Sequence, residues 1–323
     1  MNKITAKIFY LFGLANKLRY SRNIKTAISS LPYMSGLTLI DIGAAGDIEP
    51  RWKVIQEHLN YIGFEPDNRS RVNLLNKENY CKTYTLYPYA VSDKVGSFDL
   101  NLCRNPQVSS SYTPNNQFTE LFPDPRRWDV LSIEELESTT LDTLDLKKSD
   151  FIKLDIQGNE LNALRGGEIM LKDVLGLEIE IEFLPIYHNQ PLFGDVSAYL
   201  AKYDFEFIDF VNLCRWERDK HNGFGHCVFG DGLFLKSPEY VLSHNLSADK
   251  ISSYLAILLL YNRFDLIQKT LVALPDHLNA DYEKFKKAIE PIKKHHIQAR
   301  GLNMLINDIR SLLGLRYRLH LIY

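Results

Sequence analysis

Cysteine is sparse, and none of it is spaced for metal or disulfide work. Cys81, Cys103, Cys214 and Cys227 make no Cys-x-x-Cys pair, so they read as reduced core thiols of a cytoplasmic protein. A dominant charge is missing as well. The 38 Lys and Arg against 40 Asp and Glu leave a net charge of −2, which argues against the broad basic footprint of a nucleic-acid binder. The apolar run Ile8-Phe-Tyr-Leu-Phe-Gly-Leu-Ala15 falls well short of the about 20 residues that span a bilayer. Lys3 and Lys7 precede it, Lys17, Arg19, Arg22 and Lys25 follow it, and no small-x-small cleavage site does. It reads as an amphipathic helix covering the domain, with contact to a membrane surface as the lesser reading. Internal repeats and low-complexity tracts are also lacking.

What is present alternates strand and helix. With 323 residues the chain has room for one large domain with additions, or for two domains. The opening stretch Leu37-Thr-Leu-Ile-Asp-Ile-Gly-Ala-Ala-Gly46 is an apolar strand that breaks into a Gly-bearing turn, as a buried parallel strand does where it meets a ligand-binding loop. The pattern predicts a helix over 49–59, with Pro50 in its first turn. A strand over 61–65, a polar helix over 68–77 and a strand over 83–91 follow. Later strands are expected at 97–102, 151–155, 174–182, 205–210 and 227–235, and helices at 158–171 and 196–202. The aromatic, Pro- and Asn-rich stretch 106–125 reads as a functional loop. Beyond about 240 the strands stop, and 251–260 and 302–315 carry helical spacing. Lys284, Lys286, Lys287, Lys293, Lys294 and Arg300 make this tail locally basic, as a solvated helix face. These features divide the chain into an N-terminal helical segment (1–30), an α/β domain (31–238) and a helical C-terminal extension (239–323).

Three strand ends carry the candidate chemistry: Asp41-x-Gly-x-x-Gly46, Glu65 and Asp155. Open α/β sheets bind ligands outside the carboxyl ends of their strands. Gly43 and Gly46, without a Cβ, would let a ligand approach the backbone closely. Glu65 lies about 20 residues beyond the turn, where such folds place an acid for ribose hydroxyls. Dinucleotide fingerprints begin with Gly where this chain has Asp41. A carboxylate there would repel a pyrophosphate and suits the ammonium and sulfonium groups of S-adenosylmethionine. In the later block Phe151-Ile-Lys-Leu-Asp-Ile-Gln-Gly-Asn-Glu160, Lys153 and Asp155 share one strand face and Ile152 and Leu154 the other. Burying that Lys and Asp requires that they pair.

These motifs resemble the FkbM-type methyltransferases. The matching residues are Asp41-Ile-Gly-Ala44, Gly63-Phe-Glu-Pro-Asp67, Ala90-Val-Ser92, Leu141-Asp142, Lys153 to Glu160 and Asp231-Gly-Leu-Phe-Leu235, over roughly residues 37–236. The resemblance implies a class I methyltransferase (Rossmann-like) doubly wound sheet, mostly parallel with an antiparallel last strand. It also implies S-adenosylmethionine as cofactor and O-methylation of a hydroxyl on a glycan, lipid-linked sugar or natural-product acceptor, as in polysaccharide biosynthesis. By position, Asp41, Gly43, Ala44 and Gly46 would meet the methionine part, Glu65 the ribose, and Ser92 and Asp93 the adenine, with Asp155 beside the methyl group. Gln157 stands where the family more often has Glu, and the turn from Gly43 to Gly46 is one residue shorter than the commoner form.

For the transfer itself, a sugar hydroxyl gains from a general base. Asp155 is the first candidate, His188 in the loop Pro185-Ile-Tyr-His-Asn189 the second, and Lys153 belongs to the same catalytic set. Glu160 and Glu182 are candidates for holding the acceptor, with walls from 104–130 and 185–195. No metal site is assigned, although Glu178, Glu180 and Glu182 share a strand face and, with Asp155 and His188, could hold a divalent metal. Two other functions stay open: a nicotinamide oxidoreductase on a similar sheet, which Asp41 disfavours, and a non-catalytic binding module.

Overall fold

The computed structural model describes residues 18–312, apart from 145, 147 and 219–224. The chain divides into two compact units. Among the described residues, one holds 18–36, Ile48–His58 and 238–312; the other holds Leu37–Asp47 and Leu59–Ser237. The N-terminal apolar run, with Lys3 and Lys7, lies outside the described residues.

The second unit is built on a seven-stranded sheet. Its strands are β1 (Leu37–Ile42), β2 (Leu59–Phe64), β3 (Thr83–Tyr87), β7 (Phe151–Leu154), β8 (Gly176–Glu182), β9 (Phe205–Trp216) and β10 (His226–Lys236), in the order β3-β2-β1-β7-β8-β10-β9. The first five run parallel, and β10 is antiparallel to both β8 and β9. A smaller sheet takes the strands between: β4 (Ala90–Val91), β5 (Gly96–Cys103) and β6 (Val130–Thr139), in the order β4-β6-β5.

Alternation sorts the strand residues onto two faces. Ile40, Ile42, Ile152, Leu154, Leu177, Ile179 and Ile181 all enter one hydrophobic cluster. Leu161 and Leu164 from the helix Glu160–Arg165, and Val196 and Leu200 from the helix Phe193–Leu200, complete it. The intervening positions carry charge: Asp41, Lys153, Glu178, Glu180 and Glu182 lie on the opposite face. Every residue of β1 is buried, as befits a central parallel strand.

Several elements differ from the sequence pattern, each for a local reason. The strand expected over 83–91 splits at Pro88, which lacks the N–H a ladder needs; Ala90 and Val91 pair in the small sheet instead. The helix expected over 158–171 stops at Arg165. A Cβ on the next residue, Gly166, would sit 2.0 Å from the Ser92 carbonyl oxygen, so a close backbone approach replaces a longer helix. The helix expected over 49–59 shrinks to Pro50–Lys53 and a 3-10 turn, Gln56–His58. Strand β6 escapes periodicity because its first six residues are all exposed.

The helical unit centres on the helix Ala248–Leu260, in which Ile251 through Leu260 are all buried. Ser247 caps it by accepting from Lys250 N at 3.2 Å. Tyr261 packs edge-on against Trp52 at 6.1 Å, with the Arg51 guanidinium 4.2 Å above its ring. On the helix Glu283–Leu312, Phe285, Ile289 and Ile292 form a buried stripe, which leaves Lys284, Lys287 and Lys294 exposed. Among the described residues no helix is long and apolar enough to cross a membrane.

Candidate active site

The chain runs outward from β1 to β3 on one side of the sheet and resumes on the other side at β7. The topological switch point therefore lies between β1 and β7, where ligands bind in such sheets. There Asp41 stands directly across from Lys153, and Lys153 across from Glu178. Lys153 Nζ lies 3.9 Å from Asp41 Oδ1 and 3.7 Å from Asp155 Oδ2, so the expected pairing of the buried Lys is present and is shared by two acids.

Asp41 is buried, and the Tyr61 hydroxyl donates to its Oδ2 at 2.8 Å. Its Oδ1 accepts no hydrogen bond among the described residues, and 3.9 Å is too long for one from Lys153. Burial pushes the Asp41 carboxyl up, against the pull of Lys153 and Tyr61. Sequence alone presented Asp41 as an uncompensated charge; the fold supplies Lys153 as a partial counter-charge and leaves one oxygen with unused accepting capacity.

The turn after β1 is shaped by its neighbours. Gly43 has φ +87, and a Cβ there would fall 2.0 Å from the Asp155 carbonyl oxygen. Only glycine fits, and the crowding comes from the end of β7. The N–H groups of Gly43 and Ala44 both donate to Phe64 O, at 3.1 and 3.0 Å, so these two amides already have an acceptor. Gly46 differs: a Cβ there would meet nothing within 4 Å.

Glu65 follows β2 and is buried. Its Oε1 accepts from Asp67 N at 2.8 Å. Burial lifts its carboxyl to about 7, against the Asp67 amide bond. Ser92 is buried and donates to the exposed Asp93 at 3.2 Å; both follow β4 in the small sheet rather than a strand of the main one.

Beyond β7 the acids crowd together. Asp155 keeps 42% of its side chain exposed, against 9% for Asp41, and so is the acid with access to an incoming group. Gln157 donates to Asp155 Oδ1 at 3.3 Å and to Glu180 Oε2. Glu180 lies directly across from Asp231 in the β8/β10 register. Burial and then Glu178 and Asp155 raise Asp231 to about 7. Glu180 and Glu182 are held well above the ordinary carboxylate range, by burial first and then by neighbouring acids. Like charges this close cannot all ionise.

Glu160 is buried, and its Oε1 accepts from Ile156 N at 2.8 Å. Burial raises it to about 7, while amides of its own turn pull the other way. Its carboxylate thus fastens the 156–160 turn. Among the described residues no group of three or more His, Cys, Asp and Glu is placed to hold a metal ion.

The two expected substrate walls meet. Asn115 N donates to Ile186 O at 2.8 Å, His188 N to Thr113 O at 2.9 Å, and Asn115 Nδ2 to Pro185 O at 3.0 Å. Trp128, Ile186, Tyr187 and Val228 form a small separate core under them. The His188 side chain is exposed, and no hydrogen bond or ion pair joins its ring to Asp155, Lys153 or Glu182 among the described residues. Sequence reasoning did not single out Tyr61 or Tyr187. Tyr61 was findable, because its pairing with Leu39 puts it on the Asp41 face.

A five-strand parallel stretch, an antiparallel pair at one edge and an acid-bearing turn at the switch point define the sheet of a class I methyltransferase. The family follows from the sequence of the same unit: residues 48–207 match the model of the methyltransferase FkbM domain, so the chain carries a domain of that methyltransferase family. The match leaves out β1, most of β9 and all of β10. No curated protein matches the chain. Among solved structures it is similar to methyltransferase FkbM from Methylobacillus flagellatus KT, at 16% identity and TM-score 0.38, over 64% of this chain and 44% of that one. The chain thus spans under half of that protein. It is also similar to magnesium protoporphyrin IX methyltransferase from Synechocystis PCC 6803, a structure with bound SAM, at 9% identity and TM-score 0.34, over 69% of this chain and 81% of that one. At such scores the strand order, not the likeness, defines the fold.

Proposed function

We propose that this protein is an S-adenosylmethionine-dependent O-methyltransferase acting on a hydroxyl of a glycan, lipid-linked sugar or natural-product acceptor. The observation that carries the reading is the buried Asp41 Oδ1, which lacks a hydrogen-bond donor at the switch point. A buried acceptor left unmatched costs roughly 1–3 kcal/mol, a cost that a ligand ammonium would remove. Glu65, with one oxygen tied to Asp67 N, keeps the other for ribose hydroxyls. When bound, the cofactor supplies a methyl group open to in-line displacement. The chain's own part is alignment, which contributes much of the acceleration, and removal of the hydroxyl proton, for which Asp155 is the exposed acid of the group. Lys153 and Gln157 hold that carboxylate from two sides.

The test is calorimetric titration with S-adenosylmethionine and, in parallel, with NAD. Heat is expected with the first alone, and Asp41→Asn should weaken it tenfold or more. Silence with S-adenosylmethionine overturns the reading, and heat with NAD alone would favour an oxidoreductase.

A further inference from the structure

Gln157 occupies a backbone conformation that its type rarely adopts. Its φ is +56, and that of the following Gly158 is +99. A non-glycine residue there costs of order 1 kcal/mol, so surrounding bonds must hold it. The Ser110 hydroxyl donates to Gln157 O at 2.6 Å, which ties the turn to the 104–130 wall. The Tyr187 hydroxyl lies 3.2 Å from Gln157 Oε1 and 2.9 Å from Val108 O, which places the amide against the second wall.

The side-chain amide faces the acids. A primary amide has two N–H donors on one nitrogen, and here two carboxylates stand within reach of it, Asp155 Oδ1 at 3.3 Å and Glu180 Oε2. The chemistry fixes which way the amide points, because an oxygen turned toward two carboxylate oxygens would be repelled by both. Each N–H serves one acid, so the amide bridges β7 to β8 above the switch point without adding charge.

We propose that Gln157 is the positioning residue of this site: its neutral amide clamps the exposed Asp155 carboxylate to Glu180, fixing the orientation of Asp155 and sparing it a further negative neighbour. The role of Asp155 as base rests on the methyltransferase reading above; the clamp itself does not. The charged and titratable groups around the pair are Lys153 and Asp155 on β7 and its turn, Asp41 on β1, Glu178, Glu180 and Glu182 on β8, Asp231 on β10, Glu160 at the head of its helix, and Tyr187 in the second wall. Lys153 is the one cation in that set. A carboxylate at 157 would put another acid beside Asp155 and Glu180, and one of them would have to hold a proton.

The experiment is a carbon-13 NMR titration of the protein labelled at aspartate carboxyl carbons, with the Asp155 signal assigned by its loss in Asp155→Asn. In Gln157→Glu the Asp155 midpoint should rise by about one unit or more over the parent, since an added like charge disfavours ionisation. In Gln157→Ala it should rise by a smaller amount, through loss of the donor alone, and the folded fraction should stay as in the parent. A Gln157 that only supports the backbone would lower stability in both variants and leave the Asp155 midpoint where it is in the parent, which overturns the proposal. Should Gln157→Glu not fold, Gln157→Ala decides alone. No heat with S-adenosylmethionine alongside a shifted midpoint would strike the methyltransferase reading and leave the clamp intact.

Discussion

Lys153 faces Asp41 across the β1/β7 register, with its Nζ 3.9 Å from Oδ1, and reaches Asp155 just beyond the end of its own strand. One cation thus serves two acids at the place where the sheet reverses its order. Replacing Lys153 with Met would leave Asp41 charged, buried and without this counter-ion. Loss of one member of a buried pair costs about 3 kcal/mol or more, and the double variant Lys153→Met, Asp41→Asn should recover most of it. Denaturant unfolding of parent, single and double variants measures this coupling; a single variant as stable as the parent would show that Lys153 carries no such load.

The two glycines of the first turn should part company. Gly43→Ala meets both a φ of +87 and an Asp155 carbonyl oxygen 2.0 Å from the new Cβ. Strained backbone and overpacking together predict a loss of about 3 kcal/mol. Gly46→Ala meets nothing within 4 Å and should leave the melting temperature within a degree or two. Its effect would instead fall on S-adenosylmethionine affinity, if the cofactor passes over that position. Thermal melts of both variants, with titration of the second, separate a packing glycine from a binding one.

Stability should fall as pH rises from about 4.5 to about 7. Glu65, Glu160 and Asp231 are raised to about 7 from ordinary values of 4.5, 4.5 and 3.8, mainly by burial. An unfolded chain releases these protons near pH 4 to 4.5, while the folded one keeps them until near 7. The folded state therefore binds more protons throughout that window, and the slope of unfolding free energy with pH is negative there. Asp231→Asn should flatten part of the slope and raise the melting temperature at pH 8. Melting temperatures that climb from pH 5 to 7.5 would contradict the assignment.

Much of this was legible in the chain. Leu37–Ile42 announced a buried strand because a central parallel strand is apolar on both faces, and Lys153 and Asp155 announced a shared face because strand geometry has a period of two. The helix Ala248–Leu260 was readable from the apolar spacing of 251–260, whereas the buried stripe Phe285, Ile289 and Ile292 went unread among the lysines around it. What escaped was tertiary in origin. No pattern in Gly43-Ala-Ala-Gly46 says that Phe64 O takes two of its amides, since that depends on where β2 ends. Likewise nothing in the sequence says that Glu160 sets its Oε1 on Ile156 N, a bond that goes with the tight turn at Gln157 and Gly158. The β6 strand went unread because a ribbon exposed along most of its length need not alternate apolar with polar.

The two candidate bases should separate cleanly in an assay of methyl transfer. Asp155 combines exposure with two anchoring partners, Lys153 and Gln157, whereas His188 is an exposed loop residue held by its backbone N–H, which donates to Thr113 O at 2.9 Å. A positioned general base contributes roughly 10²–10⁴ in rate. Asp155→Asn, which keeps the shape and removes the basic oxygen, should therefore cost at least about a hundredfold in product formed from polysaccharide and lipid-linked sugar extracts, read as a mass gain of one methylene on the acceptor. His188→Ala should cost no more than a few-fold, through wall contacts alone. Both variants should bind S-adenosylmethionine with detectable heat, so that lost turnover cannot be mistaken for a lost cofactor. The reverse order, with His188→Ala silent and Asp155→Asn active, would move the base from the end of β7 to the loop after β8 and require that loop to close over the acceptor.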